Sequence, residues 1–228
     1  MRVEVRHGPA FAAARCRLDP KEAMRAESGA MMAHSAGVEI SAKVEGGLMR
    51  GLKRSMLGGE SLFQTTFTAP AQGGWVDVAA ALPGDIANIT LTPDVPEFLL
   101  TRTCWLANSA GVQIDTRWGG LRSLVGGEGG FLVHASGQGE VVLGCYGALD
   151  AMDLEAGEQV VIDTGHVVAY SPTITFGTRR AARGRTIASI TSGEGLVFDF
   201  TGPGRVLTQS RNLSAFADFI TGLPGVRA

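Results

Sequence analysis

Gly193-Glu194-Gly195-Leu196-Val197-Phe198-Asp199-Phe200 is the stretch on which the fold turns, because the chain carries a version of it three times. Gly59-Glu60-Ser61-Leu62-Phe63 and Gly127-Glu128-Gly129-Gly130-Phe131 are the earlier copies, and their glutamates stand 68 and then 66 residues apart. Other marks keep step with them. Ala33-His34-Ser35, Ala107-Asn108-Ser109 and Ala169-Tyr170-Ser171 open 27, 21 and 25 residues before the glutamates, and Leu18, Leu91 and Leu154 precede those alanines by 15 or 16. The first two copies share Ser-Ala-Gly-Val whole, at Ser35 to Val38 and Ser109 to Val112. A fixed internal period of this size is the mark of repeated supersecondary units. We read three units, 1–90, 91–152 and 153–228, packed as one globular body. Each is near the size at which a lone core is marginal, so the units need one another or further copies.

Between these marks the pattern is that of strands. Val3 and Val5, flanked by Arg2, Glu4 and Arg6, read as a half-buried opening strand. Val38, Ile40, Ala42 and Val44 alternate with Glu39, Ser41, Lys43 and Glu45. Hairpins are predicted over Leu62–Ala79, Phe131–Cys145 and Leu196–Gln209, each with glycines at its bend, and a single strand over Leu99–Leu106. Two short helices interrupt. Leu48, Leu52 and Met56 share one side of a helical wheel with Arg50, Lys53 and Arg54 opposite, and Gly51 weakens that helix by about 1 kcal/mol relative to Ala. Asn212 or Ser214 caps a second, with Leu213, Phe216 and Ile220 on one face and Gly222 and Pro224 at its end. The fold class is all-β with one or two short helices.

Composition narrows function more than it names it. The net charge of −2 and pI near 6.1 argue against a general electrostatic nucleic-acid binder. Cys16, Cys104 and Cys145 are odd in number, widely spaced and without a C-x-x-C, which predicts reduced core thiols and a cytoplasmic setting. No apolar run approaches the roughly 18 residues that cross a bilayer.

No catalytic constellation is read. Glu60, Glu128 and Glu194 sit in the same local setting three times over, which suits a turn carboxylate accepting backbone N–H groups better than an active-site acid. Gly59, Gly127 and Gly193 before them complete a structural motif. His7, His34, His134 and His166 include no two within 25 residues, so neither a metal nor another cofactor is expected. There is no G-x-S-x-G, P-loop or dinucleotide fingerprint. Trp75, Trp105 and Trp118 are expected in cores or interfaces. The candidate interaction surface is basic. Arg50, Lys53 and Arg54 form one face, suited to an anionic membrane or a protein partner, and Arg179, Arg180, Arg183 and Arg185 form a second cluster.

Gly193 to Val206, together with Leu52-Lys53-Arg54 leading into Gly59-Glu60-Ser61-Leu62-Phe63, resembles a widespread bacterial and archaeal family of uncharacterised proteins. That family is grouped with the mitochondrial-biogenesis proteins called altered inheritance of mitochondria. The resemblance runs from about Val3 to Ile220. It implies tandem short double-stranded β-helix or β-sandwich units similar to the trp RNA-binding attenuation protein, and homotrimers that form a ring. It brings no catalytic residues. A ring-forming scaffold or binding protein, associated with a membrane or a larger assembly, is therefore the expected function. RNA or small-ligand binding between units is the alternative, and an enzyme with a cleft between units comes third; DNA is not expected as a partner.

Overall fold

The structure, a computed structural model, describes residues 1–43, 64–115, 132–180 and 196–225. Nineteen strands run through them: β1 Arg2–Arg6, β2 Ala13–Leu18, β3 Ala23–Glu27, β4 Met31–His34, β5 Glu39–Lys43, β6 Gln64–Thr68, β7 Gly74–Val78, β8 Ile86–Leu91, β9 Glu97–Thr101, β10 Trp105–Ser109, β11 Val112–Asp115, β12 Leu132–Gly137, β13 Gly139–Gly144, β14 Leu149–Leu154, β15 Gln159–Asp163, β16 Val167–Tyr170, β17 Thr175–Arg180, β18 Leu196–Thr201 and β19 Gly204–Gln209. The helix α1, Leu213–Thr221, follows. Among the described residues the protein is thus mostly β with one short helix.

The strands make four sheets, ordered β1-β2-β7-β4, β5-β6-β3-β10-β13-β8, β11-β12-β9-β16-β19-β14 and β15-β18-β17. Three cores join them in succession. Cys16, Val76 and Val78 of the first sheet pack with Met24, Phe67 and Val142 of the second. Trp105, Val141 and Leu143 of the second pack with Phe98, Leu100 and Val133 of the third. Leu99, Tyr170 and Val206 of the third pack with Ile162, Phe198 and Phe200 of the fourth.

The two middle sheets therefore bury both faces. Val141 and Leu143 look into one core while Val142, between them, looks into another. Such strands read as continuous apolar runs rather than alternating ones, because neither face meets water. In the end sheets β2 and β15 alternate. In β2, Ala14, Cys16 and Leu18 are buried while Arg17 is exposed, and in β15 Ile162 is buried while Val161 is 54% exposed.

One expectation changes, and one unassigned stretch is filled. The run Leu99–Leu106 is not one strand: the chain leaves β9 in the third sheet, turns through a 3-10 helix at Arg102–Cys104 and enters β10 in the second. The polar Thr101-Arg102-Thr103 sits at that crossing, while the apolar residues flanking it, buried on both sides, give no periodicity. The stretch after Asp19-Pro20 holds two strands, β3 and β4, whose Ala and Met residues are weak β-formers held there by their neighbours. The strand expected at Val38 and Ile40 is present as β5, but the alternation does not separate buried from exposed residues on it: Val38, just before the strand, is buried. Ile40 is 49% exposed on β5, the outermost strand of its sheet.

Candidate functional site

The three Ala-X-Ser triplets occupy one kind of place. β4 pairs with β7, β10 with β13 and β16 with β19, and each pairing slips by one residue just before the alanine. Beyond the bulge, Ala33 faces Asp77, Ala107 faces Val142 and Ala169 faces Leu207. The triplet serine then latches the partner strand. Ser35 Oγ accepts a hydrogen bond from Trp75 N–H at 3.0 Å, Ser109 Oγ from Glu140 N–H at 3.0 Å, and Ser171 Oγ from Arg205 N–H at 2.9 Å.

A glycine stands before each latched amide. At Gly139, with φ of +127°, an added Cβ would lie 2.6 Å from Ser109 Cβ, so no side chain fits where the serine must approach. Gly74 stands in the same relation to the Ser35 hydroxyl, at 2.6 Å. The hydroxyls at these junctions serve the backbone, which is structural chemistry.

The middle residue of each triplet differs. Asn108 is fully buried; its Oδ1 accepts from the Trp105 indole at 3.1 Å, and its amide donates to the carbonyls of Ser109 and Val112. Tyr170 is fully buried beside Phe176 and Phe200, and burial pushes its phenol well above the usual range. His34 is only half-buried, its Nδ1 lying 2.9 Å from the Ser35 carbonyl.

Of the basic residues singled out in the sequence, Arg179 lies on β17 and donates from Nε to Asp199 Oδ2 at 2.7 Å. Arg180 ends that strand, opposite Leu196. Arg50, Lys53, Arg54, Arg183 and Arg185 lie outside the described residues, as do Gly59, Glu60, Gly127, Glu128, Gly193 and Glu194 and the predicted helix over Leu48–Met56. Trp118 also lies outside them, whereas Trp105 is a core residue, 1% exposed.

Sequence reading missed a charged cluster on the outer face of the first sheet. Asp77, 5% exposed, accepts from Arg15 through Nε and Nη2, both at 2.8 Å, and from Arg6 Nη2 at 2.7 Å. Arg15 lies 4.0 Å over the Trp75 ring. The Arg15 guanidinium, with Arg6 beside it, holds the Asp77 carboxyl below the usual carboxylate range despite its burial. Arg15 and Arg17, with Trp75 and Asp77, lie two apart on paired strands, which is the signal that puts them on one face. The histidines are in structural use: His134 Nε2 meets Glu97 at 2.7 Å and His166 Nδ1 lies 2.7 Å from the Gln209 carbonyl. Among the described residues no three His, Cys, Asp or Glu side chains are grouped to hold a metal, and no helix is long and apolar enough to cross a membrane. Cys16, Cys104 and Cys145 are buried free thiols; desolvation pushes Cys16 and Cys104 up to about 12 and raises Cys145.

Successive antiparallel sheets that share cores define an all-β protein. The chain belongs to the mitochondrial biogenesis AIM24 family, whose model matches residues 3–211. An uncharacterised protein of Streptococcus pyogenes serotype M6 is 29% identical over 199 residues, covering 84% of this chain and 78% of its own. The crystal structure of a Streptococcus pyogenes structural-genomics target superposes with a TM-score of 0.77 at 27% identity, covering 96% of this chain and 98% of that one.

Proposed function

We propose that the protein is a non-catalytic scaffold that assembles with further copies of itself into a ring of three chains, each chain contributing three tandem β units. The observation that carries this reading is the recurring junction: a bulge, an Ala-X-Ser triplet and a serine latch, met three times in one chain. Equivalent polar groups in equivalent structural use favour a repeated framework over a single asymmetric active centre. β2, β8 and β14 end at the corresponding residues Leu18, Leu91 and Leu154, in keeping with three tandem units. Small β units with open edges need neighbours to cover them, and a ring supplies these without end. The buried free thiols suit a reducing, cytoplasmic compartment. RNA is the less favoured partner, since the chain carries a net charge of −2 and Arg179 is already engaged by Asp199.

Light scattering behind a sizing column tests the reading. A native mass near three chains of 23.8 kDa supports it. A single-chain mass at every concentration sinks it.

A further inference from the structure

We propose that β4 of one copy pairs antiparallel with β15 of a second copy, with Ala33 opposite Ile162 and His34 opposite Val161. The inference rests on the self-assembly reading and assigns the surfaces that would carry it. Its basis is the way the chain joins its own repeats. β10 and β16, the strands equivalent to β4, each have two partners. β10 takes β3 on its second side, with Ala107 opposite Ala26 and Asn108 opposite Arg25. β16 takes β9, with Ala169 opposite Leu100 and Tyr170 opposite Leu99. β4 is an end strand whose second side pairs with no described strand.

β15 presents the matching edge. Like β3 and β9, it lies beside the strand of its sheet that also pairs with the strand following the triplet: β6, β12 and β18 in turn. Glu39, Gln113 and Thr175 face Thr68, Ser136 and Thr201 in those three strands. Three residues before these, Thr65, Val133 and Phe198 face Ala26, Leu100 and Ile162. Ile162 therefore holds the row that Ala26 and Leu100 hold at the two internal seams, and Val161 the row of Arg25 and Leu99. β15 too is an end strand.

Exposure points the same way. Leu99 is 4% exposed at its seam, but Val161 is 54% exposed. Leu106 and Val168, which precede the triplets of β10 and β16, are 2% and 0% exposed, whereas Met32, which precedes that of β4, is 60% exposed. Val161 and Met32 thus stand open at the two ends, at positions whose counterparts Leu99, Leu106 and Val168 are buried in the cores beside the internal seams. Charge distinguishes these edges from the opposite edges of their own sheets. The opposite edges of the end sheets are β1, with Arg2, Glu4 and Arg6, and β17, with Arg179 and Arg180. Charges of that kind blunt edge pairing. β4 and β15 carry no Lys, Arg or Pro, and only Asp163, at the end of β15, bears a carboxylate. Because the two edges differ, the contact is head-to-tail, and such contacts either close into rings or grow into filaments.

The test places charges in opposed rows. Val161→Glu puts a carboxylate on an already exposed position, so the chain still folds, as its circular dichroism and melting curve would report. Particle mass should then fall to one chain, and adding His34→Lys should restore it. Separately, His34→Cys with Val161→Cys should give a reducible ladder of linked chains on oxidation, since the native thiols are buried, whereas His34→Cys with Val160→Cys should not. A multi-chain particle indifferent to Val161→Glu and without that ladder overturns the seam while leaving assembly intact. A single-chain mass for the unaltered protein overturns both.

Discussion

Asp77 occupies a row that two other junctions fill with buried apolar side chains, Val142 and Leu207. A carboxylate is tolerated there because Arg15 and Arg6 supply three hydrogen bonds between them. Asp77→Asn keeps the shape and removes the charge, leaving two guanidinium groups against a neutral amide; a loss of about 2 kcal/mol in urea unfolding is expected. Its pH dependence has a definite sign. The folded-state pKa of Asp77 is depressed, so its contribution is complete above the unfolded carboxylate range near 4 and is lost as pH falls through the folded value. The gap between the two proteins should be full at neutral pH and shrink in acid. A pH-independent gap would contradict the ion-pair account. The serine latches make a second residue-scale prediction. Ser109, 7% exposed, shields its bond to Glu140 N–H, whereas the bond of Ser171 is open to water. Ser109→Ala should therefore cost about 1–3 kcal/mol and Ser171→Ala about 0.5 kcal/mol, because water replaces the lost acceptor only at the exposed site. Equal losses would remove burial as the reason.

At the scale of elements, α1 is the one α-helix among the described residues, and it buries none of its residues. Asn212 caps it, accepting from the Ser214 and Ala215 amides, and Phe216 sets its ring edge against Tyr146 at 5.6 Å. Asn212→Ala should loosen the helix by about 1 kcal/mol, seen as roughly fivefold faster hydrogen exchange at those amides. The urea midpoint of the sheets should not move; a shift would mean that the helix supports a core. This element was legible in advance, since a cap, an apolar stripe and terminal Gly222 and Pro224 are local signals. The crossing at Arg102–Cys104 was not. Its flanking strands are buried on both faces, so hydrophobicity carries no phase; the polar Thr101-Arg102-Thr103 falls inside the run predicted as one strand, and the placing of β9 and β10 in different sheets shows that the chain turns there.

In the whole molecule, cores and sheets alternate, and both middle sheets belong to two cores at once. The cores therefore cannot melt independently: losing one strips a face from a sheet that the next core needs. Phe67 in the first core and Phe200 in the third are far apart in sequence, yet either residue replaced by alanine should cost about 3–5 kcal/mol and shift one shared transition. Tryptophan fluorescence and far-ultraviolet circular dichroism should follow that transition together. Two resolved steps would show that the cores unfold separately. By itself the sequence determined the all-β class, the period of the junctions and the burial of the three thiols, because each is written in local spacing or residue type. Only the tertiary structure decided that Asp77, Arg6 and Arg15 meet, that the serine hydroxyls hold backbone, and that β4 and β15 are end strands. Those facts depend on which strands lie side by side. Pairing between strands distant in the chain is set by the packing of whole sheets and leaves no mark in the residues of either strand alone.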